Sequence, residues 1–223
     1  MNTDVVEENT QQQQRQNRPV NQQLVIRAAA KDDQGKIAEL MYSSGADLYD
    51  YIYKAQNSDP LDYIRWEFGT SRGLCTHKLL TVAVQDDTVV GTGTFYDGAD
   101  FQKMSTGASL NLLRFYGLKT IPRAIRAMDS TKLMKAPKRD ELYLANFGVS
   151  PNLRGTGIGS KILKHKIAEA RQQGYRLMSL DVSTQNPKAE ALYQRLGFAV
   201  TQTKSMQGRD GKQYACKKME LFL

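Results

Sequence analysis

The sequence predicts an α/β fold of the α+β kind: a mixed, mostly antiparallel sheet of six to seven strands with helices on both faces. Three observations predict it. Strand and helix patterns follow the order strand, helices, three strands, helix, strand, helix, two strands. One strand-helix-strand unit, Leu142 to Val182, sits inside an otherwise antiparallel run and needs a crossover, so a single neighbouring pair is expected to be parallel. A glycine-rich loop, Arg154-Gly155-Thr156-Gly157-Ile158-Gly159, closes the first strand of that unit and opens its helix.

Residues 1–23 are rich in Gln and Asn and nearly free of apolar side chains, so burial cannot offset their ordering entropy; a disordered tail is expected there, followed by one domain over 24–223. Leu24-Val25-Ile26-Arg27 reads as a short strand, and Ile37, Leu40 and Met41 give Lys31 to Tyr42 a helical period. Ala46 to Phe68 is a second helical region broken at Asp59-Pro60. Leu79 to Gln85 and Val89 to Tyr96 form a hairpin around Asp86-Asp87. Leu142 to Val149 is a strand, and Ile158, Ile162, Leu163, Ile167 and Ala170 recur at helical spacing until Gly174. Leu177 to Val182 is the next strand. Asn186-Pro187 starts a helix that Gly197 ends, and Phe198 to Met206 with Gln213 to Leu223 close the chain as a hairpin.

Charge is unevenly distributed. Between Gln102 and Arg139 nine cations face the single acid Asp129, so this stretch carries the whole net charge of +8. It reads as a helical insertion over about 102–139 with a basic outer side, and its apolar residues Ile121, Ile125 and Met128 are expected to pack inward rather than to form a dimer surface. Regular aromatic interleaving is absent, so nucleic acid is not the expected partner. No apolar run approaches the roughly 20 residues that span a bilayer, and the polar stretch Met1 to Pro19 is unlike a secretory signal, so a cytoplasmic protein is expected. Cys75, Cys216, His77 and His165 show no metal-ligand spacing, and no metal is expected; Cys75 with His77 makes a weak nucleophile-base pair.

The loop carries the chemistry. Glycines between a strand and a helix let backbone approach an anion and aim unpaired helical N–H groups at it. A P-loop would need Gly-Lys-Ser/Thr, and a dinucleotide fingerprint would need glycine where Ser160 stands, so neither fits. The stretch Val149-Ser150-Pro151-Asn152-Leu153-Arg154-Gly155-Thr156-Gly157-Ile158-Gly159 resembles the GNAT family of N-acetyltransferases, whose loop reads Arg or Gln, two residues, Gly, one residue, Gly or Ala. Arg154, Gly157 and Gly159 match it. A second family signature appears as Asn186, Ala189, Leu192, Tyr193, Gly197 and Phe198. The resemblance is strongest from Leu142 to Phe198 and specifies neither the tail nor the insertion.

What the resemblance implies is direct transfer of acetyl from acetyl-CoA to a primary amine in a ternary complex. Backbone of Phe147, Gly148 and Val149 is expected to hold the pantetheine arm, with Gly148 tolerating a bulge where two parallel strands splay. Arg154, Gly155, Thr156, Gly157, Ile158, Gly159 and Ser160 are expected at the pyrophosphate, and Tyr193 as proton donor to the departing thiolate. Asn186 either bonds the pantetheine or caps its helix. The acceptor is an amine-bearing small molecule, peptide or protein, acidic if the insertion selects it, and the protein is a monomer or a homodimer. An alkylamine must lose a proton first, which costs about 4.6 kcal/mol at pH 7 for an ordinary pKa. The family often places a carboxylate on the strand before the loop, but Tyr143 to Phe147 holds none. Glu141, at the far end, reads as solvated, with action through water as the other option. That gap motivates the alternative function, a non-catalytic acetyl-CoA sensor.

Overall fold

The computed structural model describes residues 23–223; the expected tail lies outside the described residues apart from Gln23. Seven strands form one sheet in the order β1-β2-β3-β4-β5-β7-β6. They are β1 (Val25–Ala28), β2 (Leu80–Gln85), β3 (Thr88–Tyr96), β4 (Glu141–Val149), β5 (Leu177–Ser183), β6 (Ala199–Gln207) and β7 (Gln213–Phe222). Every pair is antiparallel except β4 with β5. Asp86 (φ 49°) and Asp87 (φ 56°) both take the left-handed conformation that a two-residue hairpin turn demands, and aspartate adopts it more readily than most side chains.

Helices cover both faces. On one side α1 (Gln34–Ser43) and α3 (Pro60–Phe68) bring Ile37, Met41, Ile64 and Phe68 against Leu80 and Val82. On the other, α6 (Ile158–Gln172) sets Ile158, Ile162, Leu163 and Ile167 against Phe95, Leu144, Met178 and Leu180. Between α1 and α3 lies α2 (Ala46–Tyr53), and α7 (Pro187–Arg195) follows β5. The break at Asp59-Pro60 is a helix start: Asp59 Oδ1 accepts from the Leu61 amide, and Pro60 occupies the first turn.

The insertion differs from expectation in two ways. Its first helix, α4 (Gly98–Tyr116), begins earlier than position 102 and runs for 19 residues. Glycine, serine and asparagine give this stretch weak intrinsic helicity, and tertiary contacts supply the rest. Asn111 donates to Glu67 Oε1 and to the Arg72 carbonyl, and Gly107 lies so close to Arg72 that a Cβ there would sit 2.5 Å from the Arg72 Cβ. Second, α5 (Thr120–Ser130) is turned the other way round from the reading of a basic outer side. Arg123 is buried and Arg126 half-buried, whereas Ile121, Ile125 and Met128 face outward. The cause is the C-terminus of α2. Its free carbonyls accept from the arginines, Arg123 Nε to Tyr53 O (3.2 Å) and Arg126 to Tyr51 O (2.8 Å), and the Arg123 guanidinium also stacks 4.0 Å from the Tyr116 ring centre.

Two irregularities set the course of β4 at its C-terminal end. Thr92 pairs with Gly148 and Thr94 with Ala145, so Asn146 and Phe147 together oppose Gly93 as a bulge, with Asn146 at φ 50°. The bulge is therefore at Asn146-Phe147, not at Gly148. Gly148 is needed for a different reason: a Cβ there would collide with the Leu40 carbonyl oxygen of α1. Gly148→Ala is expected to destabilise the fold by about 1–3 kcal/mol, measurable by denaturant unfolding, because backbone must shift to make room. Pairing between β4 and β5 runs from Glu141 opposite Leu177 to Leu144 opposite Leu180 and stops there, so the last residues of β4 part from β5.

Candidate active site

The loop after β4 makes one 3-10 turn at Pro151–Leu153 and then reverses through Gly155 (φ 84°) and Gly157 (φ 90°) into α6. These left-handed angles are why glycine stands at both positions. The Thr156 amide donates back to Leu153 O and the Lys161 amide to Gly157 O. Among the described residues the amides of Gly155, Gly157, Ile158, Gly159 and Ser160 donate to no protein acceptor. Five free N–H groups at the positive end of a helix can seat a polyanion. Gly157→Ala is expected to strain this turn by about 1 kcal/mol or more, and a titration of acetyl-CoA should show at least a severalfold weaker affinity. Arg154 does not reach across these amides: its Nε donates to the Val149 carbonyl (3.1 Å), locking the loop onto the strand end.

Where β4 leaves β5, backbone is exposed. The Ser150 amide donates to Val90 O (2.9 Å), so strand alternation turns Val149, and Phe147 before it, toward the β5 side, with the Val149 carbonyl already accepting from Arg154. No β5 residue pairs with them. The Phe147 ring packs 6.3 Å from that of Tyr193 on α7, and Gly159 in the first turn of α6 faces both Phe147 and Leu192. Tyr193 is buried among the apolar residues of the α6 side. Burial pushes its hydroxyl above the ordinary phenol range, so it stays protonated at neutral pH. Among the described residues that hydroxyl has no hydrogen-bond partner. Asn186 caps α7, accepting from the Ala189 amide (3.1 Å); this is one of its two expected roles.

Across the sheet from Tyr193 lies a polar cluster that reading the sequence missed. Asp181 is the first residue of β5 beyond the paired segment, and its side chain is 2% exposed. It accepts from the Tyr143 hydroxyl (3.0 Å) and pairs with Lys204 Nζ (3.0 Å), itself 6% exposed, which also donates to Leu133 O (2.7 Å). Cys216 lies 3.6 Å from the same carboxylate, and burial together with Asp181 pushes its thiol up to about 12. A signal was available: an aspartate inside the apolar run Leu177 to Val182 must either face solvent or be partnered.

Glu141 corrects a second expectation. It is buried, not solvated, and accepts from Ser179 Oγ, Lys218 Nζ (3.1 Å) and the Lys138 amide (3.1 Å). Burial alone would raise its pKa, but these three donors outweigh it and hold the carboxyl below its usual value. A depressed folded-state pKa contributes stability that is present above the unfolded value, near 4.3, and is lost as pH falls through the folded value. Glu141→Gln should therefore lower stability at pH 7 and narrow the difference from the unaltered protein as unfolding is measured toward pH 3. Cys75 and His77 do not form a nucleophile-base pair. Cys75 is buried against Tyr49 (3.9 Å), and burial pushes its thiol well up, while His77 Nδ1 contacts Phe68 O (2.9 Å).

Comparison with known proteins agrees with this geometry. Residues 46–198 match the model of the Acetyltransferase (GNAT) family. A 5-NmdU N-acetyltransferase of Pseudomonas phage PaMx11 is 40% identical over 60 residues, 27% of this chain and 41% of that protein. A [Ribosomal protein bS18]-alanine N-acetyltransferase of Escherichia coli (strain K12) is 39% identical over 59 residues, 26% of this chain and 40% of that protein. The chain thus spans about two-fifths of the length of these relatives. Among solved structures, an acetyltransferase superposes with a TM-score of 0.63 at 22% identity over 89% of this chain and 98% of its own. The yncA protein of Salmonella typhimurium, solved with its cofactor acetyl-CoA, superposes with a TM-score of 0.54 at 20% identity over 90% of this chain and 94% of its own. At such identities these two structures speak for the fold. With the loop, the splayed strands and the family match in place, the chain belongs to the GNAT family of acetyltransferases.

Proposed function

We propose that the protein is an N-acetyltransferase that moves the acetyl group of acetyl-CoA directly to a primary amine within a ternary complex. The observation that carries the reading is the gap where β4 parts from β5: strand backbone there has no β5 partner, the loop with five unpaired amides follows directly, and the Tyr193 ring packs on Phe147 at its edge. The residues present fit the cofactor. The free amides of Gly155, Gly157, Ile158, Gly159 and Ser160 would hold its pyrophosphate, while Thr156 turns its amide and hydroxyl to Leu153, and the backbone of Phe147 and Val149 would hold its pantetheine arm. When bound, acetyl-CoA supplies a thioester carbonyl open to attack by nitrogen.

The chain's own groups divide the proton traffic between the two sides of the sheet. Tyr193, on the α6 side, is held protonated by burial and can give its proton to a departing thiolate. Asp181, on the opposite side with Tyr143 and the first β5 residue past the pairing with β4, can draw the proton from an acceptor ammonium. A carboxylate missing from inner β4 is present on β5, which supports turnover over the sensor reading. Asp181 is buried and held by Lys204, and the Tyr143 hydroxyl donates to it, so the Tyr143 hydroxyl is the group through which it reaches the amine.

The acceptor class is open to direct test. Two relatives carry names with unlike acceptors, a ribosomal-protein alanine and 5-NmdU, so a panel should include small amines, peptide α-amines, lysine side chains and aminated nucleosides. We expect one class to raise CoA release well above the acceptor-free rate. Cofactor binding with no acceptor-dependent release from any class would favour the sensor; no cofactor binding would remove the seat as well. A cytoplasmic setting, where acetyl-CoA is available, goes with the proposal. Among the described residues no helix is long and apolar enough to cross a membrane.

A further inference from the structure

The outward face of α5 is the least expected surface of the molecule. Ile121, Ile125 and Met128 of α5, with Leu118 in the 3-10 turn (Gly117–Lys119) that leads into it, recur at i, i+3, i+7 and i+10, a single stripe about 15 Å long. They are 94, 67, 37 and 70% exposed. Leu110 and Leu113 of α4 are exposed as well. Single exposed apolar residues are ordinary, but a continuous stripe on one helix is not. The stripe cannot roll inward. Arg123 and Arg126 are fastened to α2 carbonyls on the opposite face, and rotating α5 would free one buried and one half-buried guanidinium group while stripping those carbonyls of partners.

The exposed charges of the segment that carries the stripe are basic. Lys103, Arg114, Lys119, Lys132, Lys135, Lys138 and Arg139 are all exposed, with Lys119 and Lys132 at the two ends of α5. The only acid between Gln102 and Arg139, Asp129, is taken up by Arg209 (2.7 Å) and the Tyr51 hydroxyl (3.0 Å) and lies 3.5 Å from Lys132, whose ammonium stays mostly exposed. A second copy of the chain docking face to face would bring these cations together. A protein partner would find a convex ridge where helix recognition uses a groove. A fluid anionic surface meets both features, since headgroups pair with the lysines while the ridge enters the headgroup-acyl boundary.

We propose that α5 and the turn before it dock the protein on an anionic phospholipid bilayer through Leu118, Ile121, Ile125 and Met128, with Lys119 and Lys132 on the headgroups. The attachment is peripheral and reversible. Each lysine adds roughly fivefold to partitioning at low salt and less at high salt.

Flotation of the full chain with vesicles tests it. Binding is expected on phosphatidylcholine vesicles containing phosphatidylglycerol, weakened by added salt, and negligible on phosphatidylcholine alone. Ile121→Asp combined with Met128→Asp should reduce partitioning at least about tenfold, and Lys119→Glu combined with Lys132→Glu should do the same with the apolar stripe intact. Both variants should keep the melting temperature and acetyl-CoA affinity of the parent. The proposal fails if the parent does not float with anionic vesicles or if both variants float as well as it does. It also fails if sedimentation without lipid gives a dimer that the Ile121→Asp, Met128→Asp variant splits, because the stripe then belongs to a second copy.

Discussion

Tyr193→Phe is expected to lower kcat by about 10²- to 10³-fold while leaving the acetyl-CoA affinity within about threefold of the parent. The substitution removes one oxygen and keeps the ring that packs against Phe147 and, at 5.9 Å, Phe198. Because the hydroxyl has no hydrogen-bond partner among the described residues, its loss breaks no protein contact and leaves no buried partner unsatisfied. A fall in kcat then reports the missing proton donor, not a damaged fold. Rates at saturating acetyl-CoA and acceptor, with the melting temperature as control, measure it. A merely packing tyrosine would leave kcat within about twofold.

Lys204→Met is expected to cost about 3–5 kcal/mol of stability, because it leaves the Asp181 carboxylate buried without its cation. For a domain of this size that corresponds to roughly 6–20 °C in Tm. The companion double variant, Lys204→Met with Asp181→Asn, should recover much of the loss, since both charges then leave together. Activity separates the roles: the double variant should fold and still turn over at least about 100-fold more slowly, as it lacks the carboxylate behind Tyr143. Recovery of stability together with full activity would make the Asp181–Lys204 pair structural only.

Much of this fold was legible because its signals are local. Proline after Asp59 and Asn186 marked helix starts, glycines marked the loop, and Asp86-Asp87 marked a hairpin whose left-handed angles the structure has. The strand-helix-strand unit forced one parallel pair, and β4 with β5 is that pair. What escaped depends on partners distant in sequence. Nothing within α5 says that its arginines will meet the carbonyl end of α2, and without that knowledge the usual rule of apolar inside gave the wrong face. Nothing near Glu141 announces Lys218, 77 residues on, which holds it as a buried carboxylate. Asp181 was overlooked for the same reason, its cation lying 23 residues away on β6. The 19-residue α4 hid because its weak helical propensity is compensated by Glu67 and Arg72.

Amide hydrogen exchange with and without acetyl-CoA tests most directly whether the cofactor lies in the β4–β5 gap. Slowed exchange is expected, concentrated at Phe147 and Val149 on the edge of that gap and at Gly155, Gly157, Ile158, Gly159 and Ser160, whose amides are otherwise unpaired. Unchanged exchange at these seven positions with protection elsewhere, for instance around the cleft between Lys78, Phe95, His165 and Lys166, would contradict it.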